Sequence, residues 1–165
     1  MNIAEAIAFI NNQITDPSKG LSDEIFYFVS QVTPLVNVDL LIKDEDDRTL
    51  LAWRDDKYSG TGWHIPGGIV RFQEKFETRI NKVAESEVGT HVEYDLVPIA
   101  INELINPELE ARNHFISFLY RCFLSKNHKI DNKGRLSSEP RFLAWHDKCP
   151  NNLIIYHKNY YKQYI

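Results

Sequence analysis

The residues with the clearest chemical potential lie in one stretch, residues 62–90, with the sequence GWHIPGGIVRFQEKFETRINKVAESEVGT. Gly67 and Gly68 follow a proline, which predicts a sharp turn that a ligand can approach closely. Glu74 follows Gly68 after five intervening residues, and Glu87 lies thirteen positions beyond Glu74. Carboxylate oxygens are the ligands that hard divalent cations prefer. The stretch therefore combines a candidate ligand-binding turn with candidate metal-binding carboxylates.

A helix must position these carboxylates, and the sequence predicts an amphipathic one over Phe76–Val88. Its apolar residues recur at helical spacing and form one face: Phe76, Ile80, Ala84 and Val88. Gly89 directly follows and is expected to end the helix. Glu87 lies in the last turn, with Lys82 about one and a half turns earlier.

This arrangement resembles the Nudix box, in which a glycine, a glutamate, an arginine, several glutamates and a closing glycine follow at fixed spacing. Gly68, Glu74, Lys82, Glu87 and Gly89 fall in register, and Lys82 stands at the arginine position. The resemblance implies the Nudix fold, an α/β/α sandwich around a mixed β-sheet. It also implies a Mg²⁺-dependent hydrolase, with Mn²⁺ as the alternative ion, in which Gly68, Glu74, Lys82 and Gly89 are structural.

Two positions of the helix depart from the motif. Val83 and Ser86 stand where most Nudix hydrolases carry further glutamates, which complete a cluster that binds several cations. Glu87 shares a helix face with residue 83, whereas Glu85 lies about 200° around the helix from Glu87. We therefore expect one carboxylate at the site. With backbone carbonyls, water and a substrate phosphate, it suffices for a single Mg²⁺.

The same departure is similar to the GDP-mannose mannosyl hydrolase branch of the superfamily. The segments TPLVNVDLLI (33–42), LLAWR (50–54) and GWHIPGG (62–68) resemble strands and the turn of that branch, with weaker likeness to about residue 145. The resemblance implies one Mg²⁺ on the diphosphate of a nucleoside diphosphate sugar. It further implies water attack at the anomeric carbon, which releases GDP, and a homodimer.

Four site residues follow from this resemblance. Asp39 matches a strand aspartate on the sugar side and is the candidate catalytic carboxylate. Arg54 matches an arginine that helps stabilise the departing diphosphate, so it is both a catalytic and a substrate-binding candidate. Gly67 matches the residue whose carbonyl binds the metal, and Glu87 matches the retained metal carboxylate.

The phosphate-binding side of the implied site differs at two positions. Ile69 stands where that branch has an arginine directly after the two glycines. Arg71 lies two residues further, on the same side of an extended strand, and is the expected substitute for the missing charge. Phe115 replaces a tyrosine that contacts phosphate. It can stack on the substrate but has no hydroxyl to donate.

The general base is the third difference. Pro140 stands where the branch has its histidine, counted back without gaps from Trp145. Glu139 is one residue away and is the candidate base, with His146 as the alternative if the loop is aligned differently. Loss of the base without a substitute lowers a rate by about 10²- to 10⁴-fold.

Two other functions stay open at this point. Cleavage of the pyrophosphate bond requires further carboxylates, for which the candidates are Glu103, Glu108, Glu110 and Glu139. A non-catalytic domain that binds nucleotide sugars requires only the scaffold and the substrate-binding residues.

Composition narrows the partners and the location. The chain has 165 residues, 25% of them charged, and a net charge of −4, which gives no support to nucleic-acid binding. No apolar run approaches the ~18–20 residues of a membrane span. The N-terminus does not have the pattern of a signal peptide, and Cys122 and Cys149 form no ligand-like pair. We expect a cytoplasmic protein whose partner is a small molecule.

The remaining elements predict an α/β fold with a mixed sheet. Residues 1–32 are expected to form two amphipathic helices, an N-terminal extension that adds core or a dimer surface, and residues 33–165 to form the hydrolase domain. Five strands are predicted, over residues 35–42, 49–53, 96–101, 114–124 and 141–145. A short aromatic helix is predicted over 153–164.

Overall fold

A computed structural model describes all 165 residues. Four α-helices and eight strands follow one another along the chain. They are α1 (Ile3–Gln13), α2 (Asp23–Val32), β1 (Leu35–Lys43), β2 (Thr49–Asp56), β3 (Gly60–His64), β4 (Gly67–Ile69), α3 (Phe76–Val83), β5 (Glu93–Tyr94), β6 (Ala100–Ile105), β7 (His114–Phe123), β8 (Leu143–His146) and α4 (Ile155–Tyr161). The strands form one mixed sheet, which confirms the predicted α/β class.

Strand β1 lies at the centre of this sheet. It pairs in parallel with β7 and antiparallel with β2 and β4. Its side chains alternate between the two faces, as expected for a strand buried on both sides. Val38 and Leu40 pack with Ile80 of α3 on one face, and Leu41 packs with Tyr161 of α4 on the other. The sheet is thus covered by helices on both faces, and Asp39 points to the α4 side.

The predicted helix 76–88 has the expected extent but two kinds of turn. After α3, residues Ala84–Val88 form a wider π-helical turn, and the amide of Gly89 donates to the carbonyl of Ala84 at 2.9 Å. Gly89 ends the turn with a φ of 84°, a conformation that favours glycine. This π-helical turn carries Glu87, and such turns occur frequently at functional sites.

Two local predictions are wrong. Gly67 and Gly68 are not a turn with positive φ but the first residues of β4, paired with β1. Their small size is required instead, because a Cβ on Gly68 would lie 2.8 Å from Val83 Cγ2 and one on Gly67 would collide with Oδ1 of Asp39. The strand predicted over 96–101 is β6, shifted to Ala100–Ile105, because Pro98 has no amide proton to donate to a sheet. Strands β3 and β5 were not predicted.

The N-terminal extension forms as two helices, close to the predicted bounds. Helix α1 buries no residue, and α2 buries only Ser30, so the extension adds little to the core. Neither these nor the other helices combine the length and the apolar composition that crossing a bilayer requires.

Candidate functional site

The buried carboxylate of Asp39 is held by three donors. The hydroxyl groups of Ser117 and Tyr161 each donate to Oδ2 at 2.5 Å, and the side-chain amide of Asn37 donates to Oδ1 at 2.9 Å. Burial raises the pKa of Asp39, and the three hydrogen bonds oppose that rise. Asp39 is opposite Gly67 in the ladder, so its Oδ1 occupies the space that a side chain at position 67 would need.

Asp39 lines a cavity of about 160 Å³, which we call the arginine cavity. The lining residues are Asn37, Asp39, Arg54, Tyr58, Ser59, His64, Ile65, Gly67, Gly68, Ile69, Leu104, Arg112, Phe115, Ile154, Tyr156 and His157. Besides Asp39, they include three residues predicted to bind substrate or metal, namely Arg54, Gly67 and Phe115, and the structural motif residue Gly68.

Two arginines give this cavity a positive potential. The Nε of Arg54 lies 3.2 Å from the Oδ2 of Asp56, which orients its side chain. Burial lowers the pKa of Arg112, and the nearby charge of Arg54 lowers it further. Two guanidinium groups that line one partly buried cavity favour an anionic ligand.

Glu87 lines a second cavity of about 220 Å³, which we call the glutamate cleft. It is lined by Ala52, Trp53, Arg54, Asp55, Asp56, His64, Glu87, Pro140 and Arg141. Arg54 and His64 line both cavities and therefore form the wall between them. The Nε2 of buried His64 lies 3.6 Å from the Oε2 of Glu87.

The carbonyl of Gly67 accepts none of the backbone hydrogen bonds that join β4 to β1. The amide of Leu40 donates to the carbonyl of Pro66 at 2.8 Å, and the amide of Val70 donates to the carbonyl of Val36 at 2.9 Å. In an antiparallel pair, bonded and non-bonded positions alternate, so Gly67 occupies a non-bonded position. Since β4 pairs only with β1, the Gly67 carbonyl points away from β1 without a strand partner.

The two oxygen donors considered for a metal ion line different cavities, Gly67 the arginine cavity and Glu87 the adjacent glutamate cleft. The structure contains no group of three or more His, Cys, Asp or Glu side chains arranged to hold a metal ion. Three carboxylates line the glutamate cleft, but Asp56 pairs with Arg54 and Asp55 accepts a hydrogen bond from the hydroxyl of Thr61, so Glu87 is the one without such a partner. An oxygen set of one carboxylate and one backbone carbonyl leaves most positions of an octahedral ion to water and substrate, as is usual for Mg²⁺.

Glu74 contacts several residues that hold the motif in its conformation. Its buried carboxylate contacts Lys82 Nζ at 2.9 Å, as the resemblance implies, and also Arg79 Nε at 2.7 Å. The amide of Arg71 donates to Glu74 at 3.0 Å. Burial acts to raise the pKa of Glu74, but these hydrogen bonds and charges outweigh it and lower the pKa. The network fixes the connection between β4 and α3.

Two predicted site residues lie outside both cavities. The guanidinium of Arg71 packs against Gly20 of the N-terminal extension, because β4 ends at Ile69 and the alternation of sides stops there. Glu139 is exposed, and its Oε2 accepts a hydrogen bond from the amide of Leu136 at 2.7 Å.

The alternative candidates are also elsewhere. The ring of His146 packs edge-on against Trp63, with 4.4 Å between the ring centroids, and lines neither cavity. The remaining carboxylates considered for a multi-metal site do not line either cavity, and they are Glu103, Glu108 and Glu110.

The sequence did not assign a role to several residues that line the arginine cavity: His64, Tyr58, Arg112, Tyr156 and His157. His64 had the clearest signal, because it directly precedes the IPGG segment. His157 accepts a hydrogen bond from the amide of Ile65 at 2.9 Å through Nδ1. Burial, then the charges of His64 and Arg54, hold the pKa of His157 well below its usual value, so the imidazole is neutral.

Solved structures of other proteins share the fold of this chain. The MutT protein from Methanosarcina mazei Go1 has 20% identity and a TM-score of 0.58, covering 81% of this chain and 94% of that chain. The MutT NUDIX hydrolase from Burkholderia pseudomallei has 21% identity and a TM-score of 0.56, covering 77% and 95%. The chain has the Nudix fold. At these identities, the similarity concerns the fold alone.

The curated proteins that match in sequence include the low-salt glycan biosynthesis protein Agl8 from Haloferax volcanii. It is 32% identical over 81 residues, which are 49% of this chain and 51% of the relative, so the match spans about half of each protein. No protein-family model matches the sequence. Within the Nudix fold, the motif residues run from β4 to the π-helical turn, as the spacing predicts.

Proposed function

We propose that this chain is a Mg²⁺-dependent Nudix hydrolase that releases the sugar from a nucleoside diphosphate sugar. The observation that carries the proposal is the combination of Glu87, the carboxylate of the glutamate cleft that neither an arginine nor a hydroxyl group holds, with an adjacent cavity that contains two arginines. The arginines suit a diphosphate, and a single carboxylate suits one cation rather than the several that usually activate water for attack on phosphorus.

Glu87 and the carbonyl of Gly67 are the residues that would hold the ion, with Mn²⁺ as an alternative to Mg²⁺. When bound, the ion supplies positive charge that stabilises the diphosphate as a leaving group. Arg54 lines both cavities, so its guanidinium can contact the same diphosphate. These groups stabilise charge on the leaving group without the need to generate a metal-activated nucleophile.

The sugar would occupy the arginine cavity above Asp39. The oxygen of water forms a bond to the anomeric carbon, while the bond from that carbon to the diphosphate oxygen breaks. The electron pair leaves with the diphosphate, and the attacking water loses one proton to the surrounding solvent. The carboxylate of Asp39 lies beneath this region and places a negative charge near the carbon on which positive charge develops. Phe115 provides an apolar wall of the same cavity.

The sequence relative supports a sugar-containing substrate, since its name refers to glycan biosynthesis. GDP-mannose is the specific substrate that follows from the resemblance of residues 33–90. A panel of nucleoside diphosphate sugars, incubated with Mg²⁺ and examined by product mass, tests both the class and the individual sugar. We expect a nucleoside diphosphate and a free sugar as products.

The bond that is cleaved can be determined in ¹⁸O-labelled water. Attack at carbon places the label in the sugar, whereas pyrophosphate cleavage places it in a phosphate product. Label in phosphate would refute the proposed reaction in favour of a pyrophosphohydrolase. Saturable binding of the nucleotide sugars without turnover would instead indicate a non-catalytic binding domain.

The role of Glu87 has a matched control in the same π-helical turn. Glu87→Gln removes the carboxylate charge and is expected to lower turnover at least 10²-fold and weaken Mn²⁺ binding measured by electron paramagnetic resonance. Glu85→Gln makes the same chemical change at an exposed position whose carboxylate lies 3.5 Å from His91, and it should change neither quantity. Equal behaviour of the two variants would contradict the metal assignment.

A further inference from the structure

Arg112 is a second cationic residue of the arginine cavity, and the sequence motif does not assign it a role. It lies in the loop between β6 and β7, directly before β7 begins at His114. It lines the same cavity as Arg54. Ile69, the residue at the position where a charge is missing, also lines this cavity but cannot bind an anion.

The Arg112 guanidinium has no carboxylate partner. None of the ion pairs in the structure includes this residue. It lies instead over two aromatic rings, 4.8 Å from the ring centre of Tyr58 and 5.5 Å from that of Phe26. Stacking on rings orients the planar guanidinium and leaves its N–H groups available to a ligand.

Helix α2 of the N-terminal extension holds Arg112 in this position. The amide of Arg112 donates to the hydroxyl of Ser30 at 3.2 Å, and Phe26 lies one helical turn earlier on α2. Arg112 has a φ of 54°, an uncommon conformation for a non-glycine residue that surrounding contacts must maintain. Ser30 is the one residue that α2 buries, so α2 contacts this loop at its buried position.

We propose that Arg112 binds the diphosphate of the substrate together with Arg54, and that α2 is the element that positions it. The proposal rests on the proposed function for the identity of the anion. The guanidinium groups of Arg54 and Arg112 line one cavity, and a multiply charged anion that binds there stabilises both of them. The N-terminal extension is then part of the substrate site rather than an accessory surface.

Binding of inorganic pyrophosphate tests the charge directly, by isothermal titration calorimetry on the full chain with Mg²⁺ present. Arg112→Gln is expected to weaken pyrophosphate binding by about 10- to 100-fold, the effect of losing hydrogen bonds to a charged group. Arg112→Lys keeps the positive charge but cannot donate the paired hydrogen bonds of a guanidinium group, so it should restore part of the pyrophosphate affinity. Arg121→Gln, at an exposed position of β7 that lines neither cavity, should leave binding unchanged.

The role of α2 is tested by a double-mutant cycle. Ser30→Ala should weaken pyrophosphate binding several-fold, because the loop that carries Arg112 loses its hydrogen bond. In the Arg112→Gln background the same change should have no further effect on binding, whereas a merely structural effect would add to the first loss. Additive losses would overturn the positioning role.

The outcomes separate this inference from the proposed function. Pyrophosphate binding that depends on Arg112, without hydrolysis of any nucleotide sugar, would support the arginine pair and refute the proposed reaction. Hydrolysis of a nucleotide sugar with pyrophosphate affinity unchanged in Arg112→Gln would refute the role of Arg112 and leave the proposed reaction standing. Absence of pyrophosphate binding by the unmodified chain would also refute the inference.

Discussion

Replacement of Tyr161 by phenylalanine removes one of the three hydrogen bonds to Asp39. The Tyr161 hydroxyl is fully buried and donates to Oδ2 at 2.5 Å, while Ser117 and Asn37 keep their own bonds to the carboxylate. A hydrogen bond to a charged group contributes about 1.5–3 kcal/mol, and one to a neutral group about 0.5–1.5 kcal/mol. At neutral pH we therefore expect Tyr161→Phe to lower the free energy of unfolding by about 1.5–3 kcal/mol.

The loss should depend on pH, because the hydroxyl stabilises the ionised carboxylate. The pKa of Asp39 is raised in the folded state by burial, so protonation of Asp39 favours folding below that pKa, and this contribution disappears as pH rises through it. The variant has one donor fewer and should raise the same pKa further. The difference in stability between the two proteins should consequently be larger at about pH 8 than at about pH 5.

Urea unfolding at the two pH values, followed by tryptophan fluorescence, measures this difference. The corresponding fall in Tm is about 3–12 °C, from about 2–4 °C per kcal/mol for a chain of this size. Tyr164→Phe is the matched control: its hydroxyl makes no hydrogen bond, so the same chemical change on the adjacent C-terminal segment should have little effect. A loss that is equal at both pH values, or larger at acidic pH, would refute an ionised Asp39 stabilised by Tyr161.

Two further predictions concern the motif. Both Arg79 and Lys82 contact Glu74, but the Arg79 side chain is 14% exposed and that of Lys82 is 55% exposed. Arg79→Met should therefore lower the free energy of unfolding by about 3 kcal/mol, and Lys82→Met by less than about 1 kcal/mol. Equal losses on urea unfolding would show that burial does not decide the contribution. Gly67→Ala should destabilise the fold by more than about 2 kcal/mol because its Cβ collides with Asp39, and a thermal melt within about 2 °C of the unmodified chain would contradict this.

The sequence was sufficient for those parts of the fold that depend on local patterns. The alternation of β1, the apolar face of α3 and the glycine that ends the π-helical turn are readable because neighbouring residues specify them. The register of Glu74, Lys82 and Glu87 also follows from local spacing. Strand β4 was not predicted, because a proline followed by two glycines is typical of turns. Here the glycines are required by the side chains of Asp39 and Val83, which arrive from other elements.

The source of the second positive charge shows why part of the site could not be predicted. Strand alternation placed Arg71 on the side of Ile69, but that argument holds only while the strand continues, and β4 ends at Ile69. The guanidinium of Arg71 consequently packs against Gly20, while Arg112 enters the cavity from a loop that has no periodic pattern. Its position depends on contacts with α2, a helix that sequence reasoning assigned to core or dimer packing. The position of a charged side chain on such a loop can be predicted only when the tertiary contacts that fix the loop are known.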